Sequence, residues 1–277
     1  MSPDGAERGV WRRVVDDTGR SLSLPSPPQR LVSLVPSITE LVCSLGQASR
    51  LVGVTRFCTE PAAAVARLAK VGGTKTPNLE EVIELAPDLV LMNEEENKRE
   101  DFQALTGAGL AVFVSYPRTV EGAAGSVELL GSALGAETPA MAMAAEIRAA
   151  AGPVPGRSLR VFCPIWRKPW MSFNHDTFAH DLLRSAGGAN LCADRPDRYP
   201  VVELQDIAQG DPEAILLPDE PYPFAERHRP ALEALSGTSA WRCGRVHFID
   251  GKALSWYGPR TAAAVGHLRA LLAQPDP

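Results

Sequence analysis

The chain contains one pattern twice: LEEVIELAPDLVLMNEE at residues 79–95 and LQDIAQGDPEAILLPDE at residues 204–220. In each copy a short helical stretch is followed by a proline, Pro87 or Pro212, and then by an apolar run that ends in acidic residues. Because proline stops a helix and a short apolar run is typical of a buried strand, each copy predicts a helix, a stop and a strand. Two such units indicate two similar α/β lobes, and a cleft between lobes is a natural place for a small molecule.

Length and composition are typical of a globular protein. The chain has 277 residues, of which 45% are hydrophobic and 22% are charged, and its formal net charge is −5. This length is sufficient for one large core or two modest ones. Because the phosphates of nucleic acids select basic surfaces, we expect no nucleic-acid partner for this acidic chain.

Residues 1–30 determine the expected location of the protein. They contain no apolar segment of the kind found in a secretory signal, and no apolar run in the chain reaches the roughly 18–20 residues of a membrane-spanning helix. The sequence as given therefore predicts a cytoplasmic protein, whereas removal of a signal would make it periplasmic or membrane-associated. The five cysteines form no Cys-x-x-Cys pair and fit free thiols in a reducing compartment.

Strands alternate with helices along most of the chain, which predicts mostly parallel sheets. Ser37 with Glu40 predicts a capping box for the first helix, and Asp176 predicts the cap of a later one. The predicted divisions are an N-terminal arm (1–29), a first α/β lobe (30–118), linker helices (119–156) and a second α/β lobe (157–277).

The linker is interrupted at residues 135–139, where Gly135 and Pro139 break the helical composition. The piece from Pro139 to Ala151 is about 20 Å long at 1.5 Å per residue, which is long enough to bridge two lobes. A surface helix of the first lobe is the alternative, and spacing alone does not decide between them.

Several phrases resemble a known family of bacterial substrate-binding proteins. That family is the cobalamin- and iron-siderophore-binding class, also called helical-backbone metal receptors, with the class III periplasmic binding protein fold. The phrases that resemble its opening and its lobe signature are residues 16–20, 28–34, 36–37, 39–40, 71–73 and 78–80. Further phrases resemble a signal-less branch of the family: residues 57–58, 93–97, 165–169, 176–178, 198–200, 220–224 and 255–258.

The resemblance implies an α/β fold of two Rossmann-like lobes with mostly parallel sheets, joined by a single long backbone helix. It also implies an ABC-transporter-type substrate-binding protein that holds a corrinoid (cobalamin-like) or iron-chelate ligand in the cleft between the lobes, with no further cofactor required. In transporter-dedicated members, one glutamate on each lobe docks on arginines of the membrane permease. Glu80 stands at the first docking position, and Gln205 occupies the second.

Loops after the predicted strands supply the candidate ligand contacts. Aromatic side chains would stack on a flat, partly apolar ligand, while Lys75, Lys168 and Arg260 would meet its polar rim. Any single tryptophan could instead cap a core, and Glu94–Glu96 could be an ordinary helix start. The first lobe offers Phe57, Cys58, Lys75, Asn93, Glu94, Glu95 and Asn97, and the second offers Trp166, Lys168, Trp170, Tyr199, Glu220, Tyr222, Phe224, Trp256, Tyr257 and Arg260.

Neither a metal site nor a catalytic motif is predicted. His175 and His180 are five residues apart, so a helix would not place them on one face. An alternative function is a cytosolic enzyme, a cofactor-handling protein or a sensor that uses the same scaffold. In such a protein Cys58, Glu95, Glu220 and Tyr257 would act as acids, bases or metal ligands.

Overall fold

The computed structural model describes residues 10–154 and 156–273, and these residues form two compact units. The first unit comprises the described residues up to Pro117 together with Ala124–Ala145. The second comprises Arg118–Ala123 and the described residues from Glu146 onward. Residues 1–9 of the predicted arm lie outside the described part of the chain. The predicted domain boundaries stay predictions.

The first described element is an antiparallel hairpin of strands β1 (Arg12–Val15) and β2 (Ser21–Leu24), where the sequence predicts only an N-terminal arm. The buried Asp16 carboxylate holds this turn, because it accepts hydrogen bonds from the backbone N–H groups of Thr18 and Arg20, each at 3.0 Å. The hairpin also contributes buried apolar side chains, so the described part of the arm belongs to the first unit. These side chains are Val14, Leu22 and Leu24.

Five parallel strands form the sheet of the first unit. They are β3 (Leu31–Ser33), β4 (Leu51–Val54), β5 (Ala69–Lys70), β6 (Leu89–Asn93) and β7 (Val112–Ser115), and their order is β5-β4-β3-β6-β7. The helices between them are α1 (Pro36–Ser44), α2 (Ala62–Val65), α3 (Leu79–Glu84) and α4 (Arg99–Gly107), with a 3-10 turn at Ala48–Arg50.

The predicted capping box of α1 is wrong. The helix begins at Pro36, its N-cap is Val35, and no side chain caps it. Proline favours the first helical position because its missing N–H is not needed there. Ser37 therefore lies inside the first turn.

The predicted linker forms two helices, α5 (Val120–Leu134) and α6 (Glu137–Ala150), where the resemblance implies one long helix. Gly135 interrupts the helical run with a φ of +67°, a conformation that glycine adopts readily. The helices contact each other closely, because a Cβ atom built on Gly131 would lie 2.2 Å from the Cβ of Ala140. The linker is therefore a packed pair of helices.

Four parallel strands form the sheet of the second unit, in the order β11-β10-β8-β9. The strands are β8 (Leu159–Phe162), β9 (Gly188–Asn190), β10 (Ala214–Pro218) and β11 (Val246–Ile249). The helices are α7 (Phe178–Ser185), α8 (Leu204–Gln209), α9 (Ser239–Arg242), α10 (Gly251–Ser255) and α11 (Thr261–Leu272), with a 3-10 helix at Glu226–Leu235. The cap of α7 is Thr177 rather than the predicted Asp176, since the Thr177 hydroxyl accepts from the N–H of His180 at 3.3 Å. Among the described helices, none combines the length and the apolar character that a bilayer crossing needs.

The two copies of the repeated pattern share one backbone geometry. Directly before Pro87, Ala86 has a φ of +43°, and directly before Pro212, Asp211 has a φ of +44°. This left-handed turn ends each helix and directs the chain into β6 or β10, both of which are buried along their whole length. The predicted order of helix, stop and strand is confirmed in both copies.

Substitution of Gly131 by alanine is expected to destabilise the protein, because the added methyl group would overlap Ala140. Overpacking should outweigh the gain in helix propensity and leave a net loss of about 1–2 kcal/mol in the free energy of unfolding. The matched control is Gly125→Ala in the same helix, where no atom lies within 4 Å of the added Cβ. The control should raise stability by up to about 1 kcal/mol in urea denaturation. Equal effects of the two substitutions would contradict the close contact.

A buried carboxylate, Glu213, joins the start of β10 to the segment before β8. Its oxygens accept hydrogen bonds from the Arg157 guanidinium at 2.5 and 2.9 Å and from the backbone N–H of Arg160 at 3.0 Å. The hydrogen bond from Arg157 is the main cause that lowers the pKa of Glu213 from 4.5 to about 2, while desolvation opposes it. The ionised form of Glu213 is therefore the form that stabilises the fold.

The Glu213 interaction predicts a pH dependence of stability. Because the folded-state pKa is lowered, the stabilisation is complete above pH 4.5 and is lost as the pH falls towards 2. After a discount for solvent around Arg157, we expect Glu213→Gln to remove about 1–2 kcal/mol at pH 7. The difference between variant and wild type should shrink towards pH 3 in chemical denaturation. Glu226→Gln, which breaks an exposed pair with Arg229, is the control and should have little effect. A pH-independent difference for Glu213→Gln would overturn this assignment.

Candidate functional site

The candidate residues lie largely at the carboxyl edge of each parallel sheet. In the first unit, Phe57 follows β4 and the loop at residues 93–97 follows β6. In the second unit, Trp166 follows β8, and the acidic segment that leads to Tyr222 follows β10. Loops at the carboxyl ends of parallel strands are the usual place of ligand sites in α/β proteins.

Two asparagines build the loop after β6. The side-chain oxygen of Asn93 accepts from the N–H groups of Glu95 at 2.9 Å and Glu96 at 3.0 Å, and its amide nitrogen donates to the Ser115 carbonyl at 2.9 Å. Asn97 accepts from the Asn93 N–H at 2.9 Å. Both asparagines are buried. They shape the loop, and a direct ligand contact by either side chain stays a prediction.

The loop leaves its acidic side chains towards solvent. Glu94 and Glu96 are exposed and Glu95 is half-buried. The ammonium group of Lys75 donates to the carbonyl of Glu95 and so ties a neighbouring loop to this one. Lys75 is thereby connected to the loop at residues 93–97, at the carboxyl edge of the first sheet.

The structure does not present Cys58 to a ligand. Its side chain is 1% exposed, and its sulfur lies 3.1 Å from the hydroxyl of Thr39 and 3.2 Å from that of Thr55. A thiol enclosed in this way fits neither an axial ligand nor an accessible nucleophile. The adjacent Phe57 is 52% exposed, with the Arg56 guanidinium 4.8 Å from its ring centroid.

A pocket of about 350 Å³ lies beside β6 and β7 in the first unit. It contains three candidates from the sequence analysis, Asn93, Glu94 and Asn97, together with groups that the analysis missed. Arg20 comes from the hairpin turn, and its guanidinium lies 3.9 Å from the ring centroid of Phe102. Nothing in the local sequence pairs the arm with α4, so only the tertiary structure shows this pocket. The remaining lining residues are Thr18, Met92, Lys98, Arg99 and Val114.

Four aromatic side chains of the second unit form one cluster, which we call the aromatic cluster: Trp166, Trp170, Tyr222 and Phe224. Trp166 meets Tyr222 edge-on, with ring centroids 5.6 Å apart, and Tyr222 contacts Phe224 at 4.7 Å. Trp170 stacks on Phe224 at 5.9 Å with an interplanar angle of 3°. Phe224 is buried in the hydrophobic core, while Trp166 is 42% exposed. The cluster therefore runs from the core to an exposed aromatic edge.

Trp256 belongs to a separate polar network. Lys252 and Arg260 each lie 5.2 Å from its ring centroid, and Arg260 is 3.6 Å from the Asp250 carboxylate. These contacts engage the ring and the guanidinium that the sequence analysis assigns to ligand stacking and to the ligand rim. Trp256 and Arg260 are half-buried, and these contacts join them to other residues of the second unit.

Glu220 joins this network after β10. Desolvation is the main cause that raises the pKa of Glu220, while Lys252 and a hydrogen bond with Trp256 lower it. The loop after β11 approaches Glu220 closely, because a Cβ atom built on Gly251 would lie 2.5 Å from the Glu220 carbonyl oxygen. The N–H of Gly251 donates to Asp219 at 2.8 Å. The ends of β10 and β11 are thereby fixed to each other.

The remaining candidates differ in exposure. Tyr257 is 7% exposed and packs edge-on against Phe178 at 6.1 Å, so it is part of the core, and its contact with a ligand stays a prediction. Tyr199 is 42% exposed, two residues before the exposed Val201. Lys168 is exposed at a loop tip and has a φ of +67°, which is unusual for a residue with a side chain.

The two predicted docking positions occupy equivalent places. Glu80 is exposed in the first turn of α3, and Gln205 is exposed in the first turn of α8. Glu203 is the N-cap residue of α8, and its side chain makes no capping hydrogen bond. The repeat therefore presents a carboxylate in one copy and a neutral amide in the other.

Comparison with known proteins identifies the family. The model of the family "Periplasmic binding protein" matches residues 31–253. The chain belongs to this family. The predicted family and the α/β fold class are thereby confirmed, and the family is one of substrate-binding proteins.

Three proteins illustrate the similarity. The chain is 27% identical over 272 residues to an uncharacterized ABC transporter substrate-binding lipoprotein of Bacillus subtilis, YvrC, with 94% of this chain and 85% of that protein covered. It is 24% identical over 199 residues to a vitamin B12-binding protein of Vibrio cholerae, with 70% and 72% covered. The crystal structure of a periplasmic heme-binding protein from Pseudomonas aeruginosa matches with a TM-score of 0.75 and 28% identity, covering 88% of this chain and 92% of that one.

Within residues 10–154 and 156–273, no group of three or more His, Cys, Asp or Glu side chains is placed to hold a metal ion. The Nδ1 atom of His180 lies 3.4 Å from the amide nitrogen of Asn190. Desolvation is the main cause that lowers the pKa of His180.

Truncation of two aromatic residues is expected to have different effects on stability, because one ring lies in the core and the other at the surface. Tyr257→Ala removes a buried ring and should reduce the free energy of unfolding by about 2–4 kcal/mol. Trp166→Ala removes a half-exposed ring and should cost no more than about 1 kcal/mol. Chemical denaturation of both variants under one condition measures the difference. A larger loss for Trp166→Ala would show that the aromatic cluster is mainly structural.

Proposed function

We propose that this protein is the substrate-binding component of an ABC-type uptake system, and that its ligand is a corrinoid, a haem-like macrocycle or a ferric chelate. The observation that carries the proposal is the exposed Trp166 ring of the aromatic cluster, which contacts the half-buried Tyr222 at the carboxyl edge of the second sheet. Relatives of the family that bind vitamin B12 or heme support this ligand class.

The chemistry of the cluster suits a large, flat and partly apolar ligand. Tryptophan and tyrosine offer a wide apolar face together with a polar atom, so they can stack on a macrocycle and also bind its edge. Lys168 stands two residues from Trp166 and is exposed, so we propose that it meets carboxylates or amides of the ligand. Tyr199 and Phe57 are proposed as further contacts because they too are exposed. The predicted cleft between the lobes stays a prediction.

We propose a binding role without catalysis. The enzyme alternative depends on Cys58 and Tyr257 as reacting groups, and both side chains are enclosed by the protein. Glu95 and Glu220 remain as carboxylates, but the family is one of binding proteins. No observation favours the enzyme alternative.

An uptake role implies a membrane permease as partner. We propose that the exposed Glu80 contributes to docking, while Gln205 at the equivalent position supplies no charge. Docking would then depend more strongly on the first unit than in a protein with two glutamates. Because an uptake protein meets its ligand outside the cytoplasmic membrane, we propose a periplasmic or membrane-associated location instead of the cytoplasmic one that residues 1–30 predict.

Ligand titration tests the proposed function. The purified protein is titrated with cyanocobalamin, with haemin and with ferric catecholate and hydroxamate chelates, and binding is followed by tryptophan fluorescence and calorimetry. We expect one class to bind, and we expect Trp166→Ala to weaken that binding about tenfold, which corresponds to about 1.4 kcal/mol.

The control variant is Trp241→Phe. Trp241 lies on α9, which precedes β11 and so stands at the opposite end of that strand from the candidate residues. Its substitution should leave the affinity unchanged. If no member of the panel binds the folded wild-type protein, the proposed ligand class is wrong.

A further inference from the structure

One buried histidine contacts the hydroxyl group of Tyr222. The Oη atom of Tyr222 lies 3.4 Å from Nε2 of His228, and the two ring centroids are 5.3 Å apart. His228 is 7% exposed and lies on the 3-10 helix Glu226–Leu235. The sequence analysis does not select this histidine, because no other histidine stands at a metal-type spacing from it.

The second nitrogen of the His228 ring determines where its proton lies. Nδ1 is 3.1 Å from the backbone nitrogen of Ala225. Because a backbone N–H can only donate, Nδ1 accepts and carries no hydrogen, and the neutral ring has its hydrogen on Nε2. Desolvation is the main cause that lowers the pKa of His228, and the positive charges of Arg227 and Arg167 lower it further. The ring is therefore neutral at pH 7.

This tautomer fixes the direction of the Tyr222 hydroxyl. The Nε2–H group of His228 donates to Oη, so the hydrogen of the hydroxyl is directed to a different acceptor. The tyrosine ring cannot turn freely, since Trp166 packs against it at 5.6 Å and Phe224 at 4.7 Å. Ring and hydroxyl are thus both held before any ligand arrives.

We propose that His228 is a positioning residue that keeps the hydroxyl of Tyr222 as a hydrogen-bond donor to a carbonyl or carboxylate oxygen on the rim of the ligand. This inference depends on the proposed function, because it assigns a role to the same exposed aromatic edge. A site that holds a donor in place selects ligands with an acceptor at that point and discriminates against analogues that lack it. Carboxylates and amides on the periphery of a macrocyclic chelate supply such acceptors.

A double-mutant cycle tests the inference with cyanocobalamin and haemin as probes. Tyr222→Phe removes the donor and should weaken binding about three- to tenfold, the range expected for one hydrogen bond. His228→Asn keeps an oxygen that can accept from the Ala225 N–H but has no group that reaches Tyr222, so it should weaken binding to a similar extent. The double variant should bind no more weakly than Tyr222→Phe alone, because His228 acts only through the hydroxyl.

A merely structural role for His228 gives a different pattern. The loss caused by His228→Asn would then persist in the Tyr222→Phe background. His228→Gln can place an amide donor near the position of Nε2, so partial recovery of affinity supports the positioning role. If His228→Asn fails to fold in thermal denaturation, His228→Gln in the wild-type and Tyr222→Phe backgrounds provides the same comparison.

The outcomes separate this inference from the proposed function. If the wild type binds a probe and Tyr222→Phe binds it equally well, the donor role is wrong and the ligand class stands. The same holds if the effects of the two single substitutions add. If the wild type binds neither probe nor any ferric chelate, the inference and the proposed function are both overturned.

Discussion

The left-handed turn before Pro87 and Pro212 is the constraint on which both units depend. A residue with a side chain pays about 1–2 kcal/mol to adopt this conformation, yet Ala86 and Asp211 adopt it at equivalent positions. The turn ends a short helix and directs the chain into a strand inside its sheet, β6 beside β3 and β10 between β8 and β11. The proline then prevents the helix from continuing. A local strain is therefore offset by the burial of two whole strands.

The segments that follow β6 and β10 determine which side chains lie at the carboxyl edges of the two sheets. At the end of β6 the chain enters a loop whose shape is set by hydrogen bonds of Asn93 and Asn97, so these polar side chains stabilise the loop. At the end of β10 the chain enters a loop that leads into the aromatic cluster, where Trp166 remains exposed. Both copies thus end in acidic residues, but only the second continues directly into aromatic residues.

The sequence analysis succeeds where the signal is local. Apolar runs and proline stops predict β6 and β10, and both strands are buried along their whole length. It fails where two local signals compete, as at α1, where Pro36 and not Ser37 determines the helix start. It also misses the hairpin β1–β2, because strand pairing between short, partly polar segments depends on the partner.

The candidate site shows the same limit. Local sequence identifies the aromatic and charged residues that follow strands, but it does not show that Trp166 contacts Tyr222. It does not reveal that Tyr257 packs on Phe178, or that Trp256 is held by Lys252 and Arg260. The burial of these side chains depends on contacts with other residues of the folded chain, and composition alone does not predict those contacts.

The close approach of Gly251 to Glu220 restricts which residues position 251 can accept. Any side chain at position 251 would meet the main chain of Glu220, which cannot move aside as a flexible side-chain tip can. The spacing of the loops after β10 and β11 is therefore set by one missing methyl group. Related proteins that carry a larger residue here would need a longer or differently folded loop after β10, and so a carboxyl edge of another shape.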